Sequence, residues 1–243
     1  MSNTLYTACR ALYDIAFPGE PEAFTQALFD RYFPDHARVL CVDGQVASML
    51  FSIPAPILTE SGRLDARYLY AVATHPDHRG RGLAKQMLAA EAAEHPVFLR
   101  PMSPSLFDFY AKAGFSPLSP VCFAEGDATS PSGRERELTA AAYLALRDEF
   151  APLPHVRPTK EFLSLYELGG GFAAHGLDAA ALYEKHDDLI WFKEYWGDTL
   201  LAPRLAACLG GKQYRLRYAD PDGTPFGMGA GVPADTAFLA AMD

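Results

Sequence analysis

Residues 68–85 have the sequence YLYAVATHPDHRGRGLAK, in which a strand pattern is followed by a basic turn and a helix pattern. From Tyr68 to Thr74 the larger side chains alternate with leucine and alanine, the period of two that is typical of a strand covered on both faces. Pro76 lacks the N–H that a strand donates, so it ends the predicted strand. From Leu83 onward, apolar residues recur at helical spacing. We therefore predict a strand, a tight turn and a helix that begins beside the turn.

The predicted turn has the composition of an anion-binding site. A helix N-terminus offers unpaired N–H groups and a partial positive charge, both of which favour a bound diphosphate. Gly80 and Gly82 have no Cβ atoms to obstruct an anion, and Arg79 and Arg81 add positive charge. Neither the P-loop pattern nor the Rossmann glycine pattern occurs in the sequence. The turn therefore predicts a diphosphate site of a different kind.

Two ordered motifs resemble one known superfamily. Arg79-Gly-Arg-Gly-Leu-Ala84 resembles the R/Q-x-x-G-x-G/A signature of the GNAT superfamily of N-acetyltransferases. The block from Pro101 to Phe115 follows a short apolar strand pattern near residues 96–100 and looks like that superfamily's closing helix, which ends in Phe-Tyr-x-x-x-Gly-Phe. The chain is identified as a member of this superfamily, which implies a mixed α/β acyl-CoA N-acyltransferase fold.

The resemblance implies roles for particular residues. The main chain of the strand before the turn would pair with the pantetheine arm of acetyl-CoA, and the turn amides would hold its pyrophosphate. Tyr110 would protonate the departing thiolate. Where many members have an asparagine, this chain has Ser103, so Ser105 nearby is the expected polar contact. The implied cofactor-binding residues are Val72, Ala73, Thr74, Arg79, Gly80, Arg81, Gly82, Leu83, Ala84 and Ser105.

Tyrosine is suited to the acid role, because its ordinary pKa of about 10 exceeds the value of about 8.5 for a thiol. The general base is left open among Asp65, Glu60 and His75, each of which can equally be an ordinary surface residue. His75 and His78 have an H-x-x-H spacing, but no further ligands accompany them. No metal site is predicted.

Composition limits the class of partner and the compartment. The chain has 243 residues, of which 49% are hydrophobic, so it can bury more than one ordinary core. A net charge of −9 disfavours nucleic acid and anionic membranes, because both require a basic face. The four cysteines are scattered and no stretch is long and apolar enough to span a membrane, so we expect a cytoplasmic protein without disulfides.

Local patterns predict further elements on both sides of the motifs. Asp43-Gly44 is a strong hairpin signal between two strand patterns. Helix patterns cover residues 5–17, 22–33, 136–150 and 200–209, and strand patterns cover residues 38–42, 45–53 and 213–218 and parts of 181–195.

These elements divide the chain into two modules. Residues 1–117 form the expected catalytic GNAT domain, residues 118–135 a linker, and residues 136–243 a smaller α+β module. The second module has no turn of the phosphate-binding type. This layout is similar to bacterial acetyltransferases of the enhanced intracellular survival group, in which a degenerate GNAT-like region without cofactor follows the catalytic domain.

The leading functional hypothesis is an N-acetyltransferase that moves an acetyl group from acetyl-CoA to a primary amine in a ternary complex. No cysteine lies in either motif, so a covalent acetyl-enzyme is not indicated. The acceptor can be a small molecule or a protein amine, a homodimer is plausible, and longer acyl groups stay open. A role as a base for the terminal carboxylate at Asp243, which the resemblance suggests, also stays open. The alternative from another class is a non-catalytic acyl-CoA sensor or scaffold.

Overall fold

The computed structural model describes residues 3–240, and contacts divide the chain into two compact units. Unit 1 comprises Met1–Pro56, Leu64–Ser116 and Met228–Val232. Unit 2 comprises Ile57–Arg63, Pro117–Gly227 and Pro233–Asp243. Asp243 lies outside the described residues, so its role as a base stays a prediction.

Residues 3–240 form seven α-helices and fourteen strands, which we number in chain order. The helices are α1 (Asn3–Ala16), α2 (Glu22–His36), α3 (Leu83–Glu94), α4 (Pro104–Ala111), α5 (Ala140–Phe150), α6 (Lys160–Tyr166) and α7 (Ala202–Cys208). The strands are β1 (Ala37–Val42), β2 (Gln45–Pro54), β3 (Ile57–Thr59), β4 (Gly62–Leu64), β5 (Arg67–Thr74), β6 (Val97–Leu99), β7 (Ser116–Asp127), β8 (Glu135–Leu138), β9 (His155–Val156), β10 (Gly170–His175), β11 (Ala179–His186), β12 (Leu189–Gly197), β13 (Gln213–Ala219) and β14 (Thr224–Ala230).

Unit 1 contains a sheet in the order β1-β2-β5-β6, and the last residues of β14 pair with β6. The predicted hairpin at Asp43-Gly44 is confirmed: both residues have positive φ, 49° and 78°, and join the antiparallel strands β1 and β2. β5 is antiparallel to β2 and parallel to β6, so the strand of the phosphate motif lies in the centre of this sheet.

The two faces of the unit 1 sheet have different cores. On one face, α3 and α4 contribute Leu88 and Tyr110 to a cluster that includes Leu69 of β5. On the other face, α1 and α2 contribute Tyr13 and Phe29, whose rings meet edge to face at 5.5 Å. Each large apolar side chain buried in this way stabilises the fold by roughly 1.5–3 kcal/mol. These two cores therefore cover β5 on both faces of the sheet.

Unit 2 contains a sheet in the order β7-β13-β12-β11-β10-β8 and a small sheet in the order β4-β3-β9. The structure differs here from the predicted linker, because β7 occupies Ser116–Asp127, most of the segment predicted to be irregular. Pro117, Pro120 and the positive φ of 55° at Ser119 interrupt the period-two pattern from which a strand is read. Leu118 and Val121 are nevertheless buried.

Candidate active site

A β-bulge interrupts β5 just before the phosphate turn. Phe51 of β2 pairs with Tyr70 and Met49 pairs with Ala73, so two residues of β5 lie opposite one residue of β2. Ala71 lies in the bulge with a φ of 53°, a conformation that non-glycine residues seldom adopt. The bulge removes part of the main chain of β5 from ordinary ladder pairing.

The opposite edge of β5 also separates from its neighbour. Its parallel pairing with β6 is made at Arg67↔Val97 and Tyr68↔Phe98 and is not continued along the rest of the strand. The main chain of Val72, Ala73 and Thr74 therefore lies beyond the paired part of this edge. An opening of this kind can pair with an extended ligand by main-chain hydrogen bonds, as predicted for these three residues.

The turn after β5 has backbone geometry that requires glycine. Gly80 and Gly82 both have a φ of +76°, and a Cβ placed on either would meet no atom of the chain within 4 Å. Open space in front of a left-handed turn is what a diphosphate needs to approach the amides. The turn therefore fits the phosphate-binding role given to it by the sequence.

The amides of this turn are available to a ligand. The first hydrogen bond at the start of α3 runs from Gln86 N to Gly82 O at 3.0 Å. Within residues 3–240, the N–H groups from Gly80 to Lys85 donate to no other group of the protein. Leu83 and Ala84 form the first turn of α3, so the predicted amides converge with the positive end of its dipole.

The two arginines of the turn make specific local contacts. Arg79 Nε donates to Thr74 O at 3.2 Å, and Arg81 Nη1 lies 2.9 Å from His78 Nδ1. Both side chains are exposed. They therefore add positive charge at the rim of the turn and leave its centre to the main chain.

Tyr110 lies near the C-terminal end of α4, in the same cluster as Leu69 and with Val72 packed against that cluster. Only 6% of the residue is exposed, and burial raises the pKa of its phenol to about 12. Within the described part of the chain, its hydroxyl makes no hydrogen bond. A hydroxyl without a protein partner, on a residue that is itself buried, is able to donate to a bound group.

The predicted polar contact at the start of α4 is already engaged within the protein. Ser105 Oγ lies 3.0 Å from Ser103 Oγ, and either oxygen can be the donor. Ser105 precedes Tyr110 by five residues, about 7.5 Å along the helix axis. Its contact with CoA stays a prediction.

The candidate bases are not gathered at the bulge. His75 caps a short 3-10 helix, where its Nδ1 accepts from Asp77 N at 3.3 Å, and it lines a cleft of about 500 Å³ beside α1. Asp65 precedes Ala71 by six residues, which corresponds to about 20 Å of extended strand. Glu60 belongs to unit 2. The structure therefore singles out none of these three residues as the base.

Sequence reasoning did not identify a pair of tyrosines on the α1 face of β5. The hydroxyls of Tyr70 and Tyr13 lie 3.3 Å apart. Tyr68, two residues earlier on β5, lies with its ring 6.0 Å from that of Tyr70. The alternation of Tyr68 and Tyr70 was the available signal, since alternate residues of a strand share a face.

Most of this unit resembles a known protein family. Residues 1–118 match the family described as the Acetyltransferase (GNAT) domain. These residues belong to the GNAT family. GNAT domains bind acyl-CoA and transfer its acyl group, which agrees with the separated strand edge and the glycine turn of unit 1. Among curated protein sequences, none matches this chain significantly.

Solved structures extend the likeness along both units. The chain resembles a probable N-acyltransferase of Enterococcus faecalis V583 (TM-score 0.72, 16% identity, 94% of this chain and 70% of that one). It also resembles Eis1 of Mycobacterium abscessus (0.63, 14%, 93% and 65%). A tandem GNAT protein from the clavulanic acid biosynthesis pathway has a TM-score of 0.54 at 12% identity, with 96% of this chain and 97% of that one covered. At these identities the comparison shows the fold, which is the two-module GNAT form.

Two further features are absent from the described residues. No group of three or more histidine, cysteine or carboxylate side chains is placed to hold a metal ion within residues 3–240. Across the same residues, no helix is both long and apolar enough to cross a membrane.

Proposed function

We propose that this GNAT protein is an N-acetyltransferase that moves an acetyl group from acetyl-CoA to a primary amine by direct transfer. The observation that carries the proposal is Tyr110, a buried residue whose hydroxyl lacks a protein partner and whose cluster includes Leu69 and packs against Val72 at the bulge of β5. When bound, acetyl-CoA supplies an acetyl group already activated as a thioester.

The residues of unit 1 would hold the donor in two places. The main chain of Val72 to Thr74 would pair with its pantetheine arm, and the amides of the turn from Arg79 to Ala84 would bind its diphosphate. Arg79 and Arg81 would add favourable charge at the rim of the turn. Binding at both ends would fix the thioester near Tyr110, and positioning is the main contribution that this chemistry needs.

Tyr110 would supply the proton that the departing thiolate takes. The raised pKa, about 12, keeps the phenol protonated at neutral pH, well above the ordinary thiol value of about 8.5. In the overall step, a C–N bond forms as the C–S bond breaks. An ammonium acceptor gives up two protons, one of which replaces the proton of Tyr110 while the other leaves to solvent.

The wider setting is part of the same proposal. The acceptor is a small-molecule or protein amine, and the enzyme works in the reducing cytoplasm as a monomer or a homodimer. Cys9, Cys41, Cys122 and Cys208 are all free thiols, which favours a reducing compartment.

Calorimetry with acetyl-CoA tests the donor site. We expect micromolar binding by the unchanged protein and at least 100-fold weaker binding by Gly82→Glu, because a carboxylate would repel the diphosphate. Gly44→Glu is a matched control, since Gly44 has a nearly equal φ of +78° in the β1–β2 hairpin. Equal loss in both variants would assign the effect to backbone strain and contradict the donor site.

Thiol release tests the chemistry. Acetyl-CoA would be offered with 2-phenylethylamine, spermidine or lysine methyl ester, and Tyr110→Phe should lower kcat about 100-fold while its affinity for acetyl-CoA stays within twofold. Tyr6→Phe, which alters an α1 hydroxyl near Gln26, is the control. Binding of acetyl-CoA without thiol release from any amine would favour the sensor alternative instead.

A further inference from the structure

The two tyrosines on the α1 face form a second polar feature beside the β5 bulge. Tyr70 immediately precedes Ala71, and its hydroxyl lies 3.3 Å from that of Tyr13 on α1. Leu69 contacts the opposite cluster, which contains Tyr110. Tyr70 and Tyr110 therefore lie on opposite faces of β5.

The two tyrosine residues differ in overall exposure. Tyr13 is fully buried, whereas Tyr70 retains part of its exposure. Burial raises the pKa of Tyr13 to about 12, and burial together with Tyr13 raises the pKa of Tyr70 well above its ordinary value. Both groups therefore stay protonated at neutral pH, so each can donate one hydrogen bond and accept others. Tyr13 is placed to hold the ring of Tyr70 in one orientation.

The segment around these hydroxyls carries an excess of negative charge. Arg10 is the one basic residue between residues 3 and 22, and it pairs with both Asp14 and Glu22. Glu20 lies in the connection between α1 and α2, and its charge acts on the hydroxyls of both Tyr13 and Tyr70. Three carboxylates with one arginine favour a cation at this surface.

Apolar surface accompanies this charge. The ring of Phe17 lies 4.8 Å from that of Tyr13, and both Phe17 and Tyr70 are partly exposed. An aromatic face beside a carboxylate-rich rim suits an ammonium group attached to an apolar body.

We propose that the Tyr70 hydroxyl accepts a hydrogen bond from the acceptor amine, that Tyr13 positions Tyr70, and that the acceptor is a small primary ammonium with an apolar or aromatic body. This inference rests on the proposed function and names the acceptor side of the same site. The donor and the acceptor then reach the bulge from opposite faces of β5, with Tyr110 on one face and Tyr70 on the other.

Calorimetric titration with 2-phenylethylamine tests this assignment, and 2-phenylethanol is the neutral analogue. Each compound is titrated into the protein with and without saturating CoA. We expect the amine to bind and the alcohol to bind at least tenfold more weakly. Tyr70→Phe should weaken amine binding at least tenfold, and Tyr13→Phe about threefold, because the latter removes orientation and leaves the contact itself.

Tyr6→Phe is the matched control, since Tyr6 lies on the same helix and its hydroxyl accepts from Gln26 Nε2, also at 3.3 Å. It should leave amine affinity within twofold. Thermal unfolding of all three variants establishes that they fold. Equal amine affinity in Tyr70→Phe and the unchanged protein, or equal binding of amine and alcohol, would overturn the inference, as would the absence of amine binding.

Steady-state kinetics separates this inference from the proposed function. Tyr70→Phe should raise the KM for 2-phenylethylamine at least tenfold with little change in the KM for acetyl-CoA, whereas Tyr110→Phe should lower kcat. If the unchanged protein does not bind CoA, that result refutes the donor site alone, because amine binding is also measured in the absence of CoA. A Tyr70→Phe variant with an unchanged KM for the amine would refute only the acceptor contact.

Discussion

The segment β5-α3-β6 in unit 1 and the segment β12-α7-β13 in unit 2 have the same local topology, a strand followed by a helix and a parallel strand. They differ where a ligand would bind. β5 pairs with β6 at two positions, whereas β12 pairs with β13 at five, so the strand edge that is open in unit 1 is closed in unit 2. A shared topology therefore does not preserve a binding site.

The residues before the two helices differ in the same sense. α3 follows a turn with two glycines and two arginines, whereas α7 follows a 3-10 helix formed by Thr199–Leu201 and capped by Asp198. Asp198 places a carboxylate at the start of this 3-10 helix, and a carboxylate there does not attract a phosphate. As far as its residues are described, unit 2 lacks the open strand edge and the glycine turn that fit unit 1 for CoA.

β5 and β12 nevertheless both contain a register shift. The side chains beside the two shifts are different. In unit 1 the shift in β5 is next to the hydroxyls of Tyr70 and Tyr13. In unit 2 the shift of β12 against β13 includes Glu194, which is completely buried and bonded by Arg147 Nη2 at 2.8 Å and by the Tyr143 hydroxyl. A buried ion pair thus lies at the register shift of β12.

The largest expected effect breaks this ion pair. Glu194→Ala should lower the free energy of unfolding by about 3–5 kcal/mol, because it removes the carboxylate that is hydrogen-bonded to the buried guanidinium of Arg147. Urea unfolding measures the change. Glu149→Ala, an exposed carboxylate on the same helix as Arg147, should cost less than about 0.5 kcal/mol. Similar small losses in both variants would mean that the pair does not stabilise unit 2.

A second prediction sharpens the contrast between the two turns. Gly82→Ala should weaken acetyl-CoA binding about tenfold, because alanine pays roughly 1–2 kcal/mol for the left-handed conformation that the turn requires. Gly210→Ala, at a φ of +77° after α7, should strain unit 2 similarly. Calorimetry should show no loss of acetyl-CoA affinity for that variant. An equal loss of affinity would show that the turn of unit 1 has no special role.

A smaller effect is expected from the charge at the rim of the turn. Arg81→Ala should weaken acetyl-CoA binding about threefold at low salt and less at high salt, because the side chain is exposed and its charge is screened. Titrations at two ionic strengths measure this dependence. Arg204→Ala on α7, whose N-terminus lacks the glycine turn, provides the control. A loss that is independent of salt would indicate a structural effect rather than attraction to the diphosphate.

The smallest expected effect concerns the pH dependence of kcat, which should show no fall at alkaline pH. In the proposed mechanism the protonated phenol of Tyr110 is the active form, and burial raises its pKa to about 12, so the loss of this form is moved to higher pH. Between pH 7 and 10, kcat should therefore not fall through Tyr110, whereas a phenol with the ordinary pKa of about 10 would be half ionised at pH 10. A fall in kcat centred below pH 10 that is absent from Tyr110→Phe would contradict this prediction.

Part of the fold and of the candidate site was predictable from sequence. The period of two from Tyr68 to Thr74 and the stop at Pro76 placed β5 and its end correctly. The hairpin at Asp43-Gly44 was also correct. The linker prediction failed at β7, because prolines and a left-handed serine removed the local signal while pairing with β13 supplied the strand.

By itself, the sequence determined the glycine turn, the end of β5 and the candidate acid Tyr110, because these depend on residues close together in the chain. The helix predicted over residues 136–150 begins only at Ala140, since residues 135–138 pair with β10 as strand β8. Only the tertiary structure decided that β5 separates from β6 while β12 stays paired with β13, since strand pairing depends on distant segments. It also decided the contacts of Tyr13 with Tyr70 and of Arg147 with Glu194, which are 57 and 47 residues apart in sequence. Side chains so far apart meet only when packing fixes their elements.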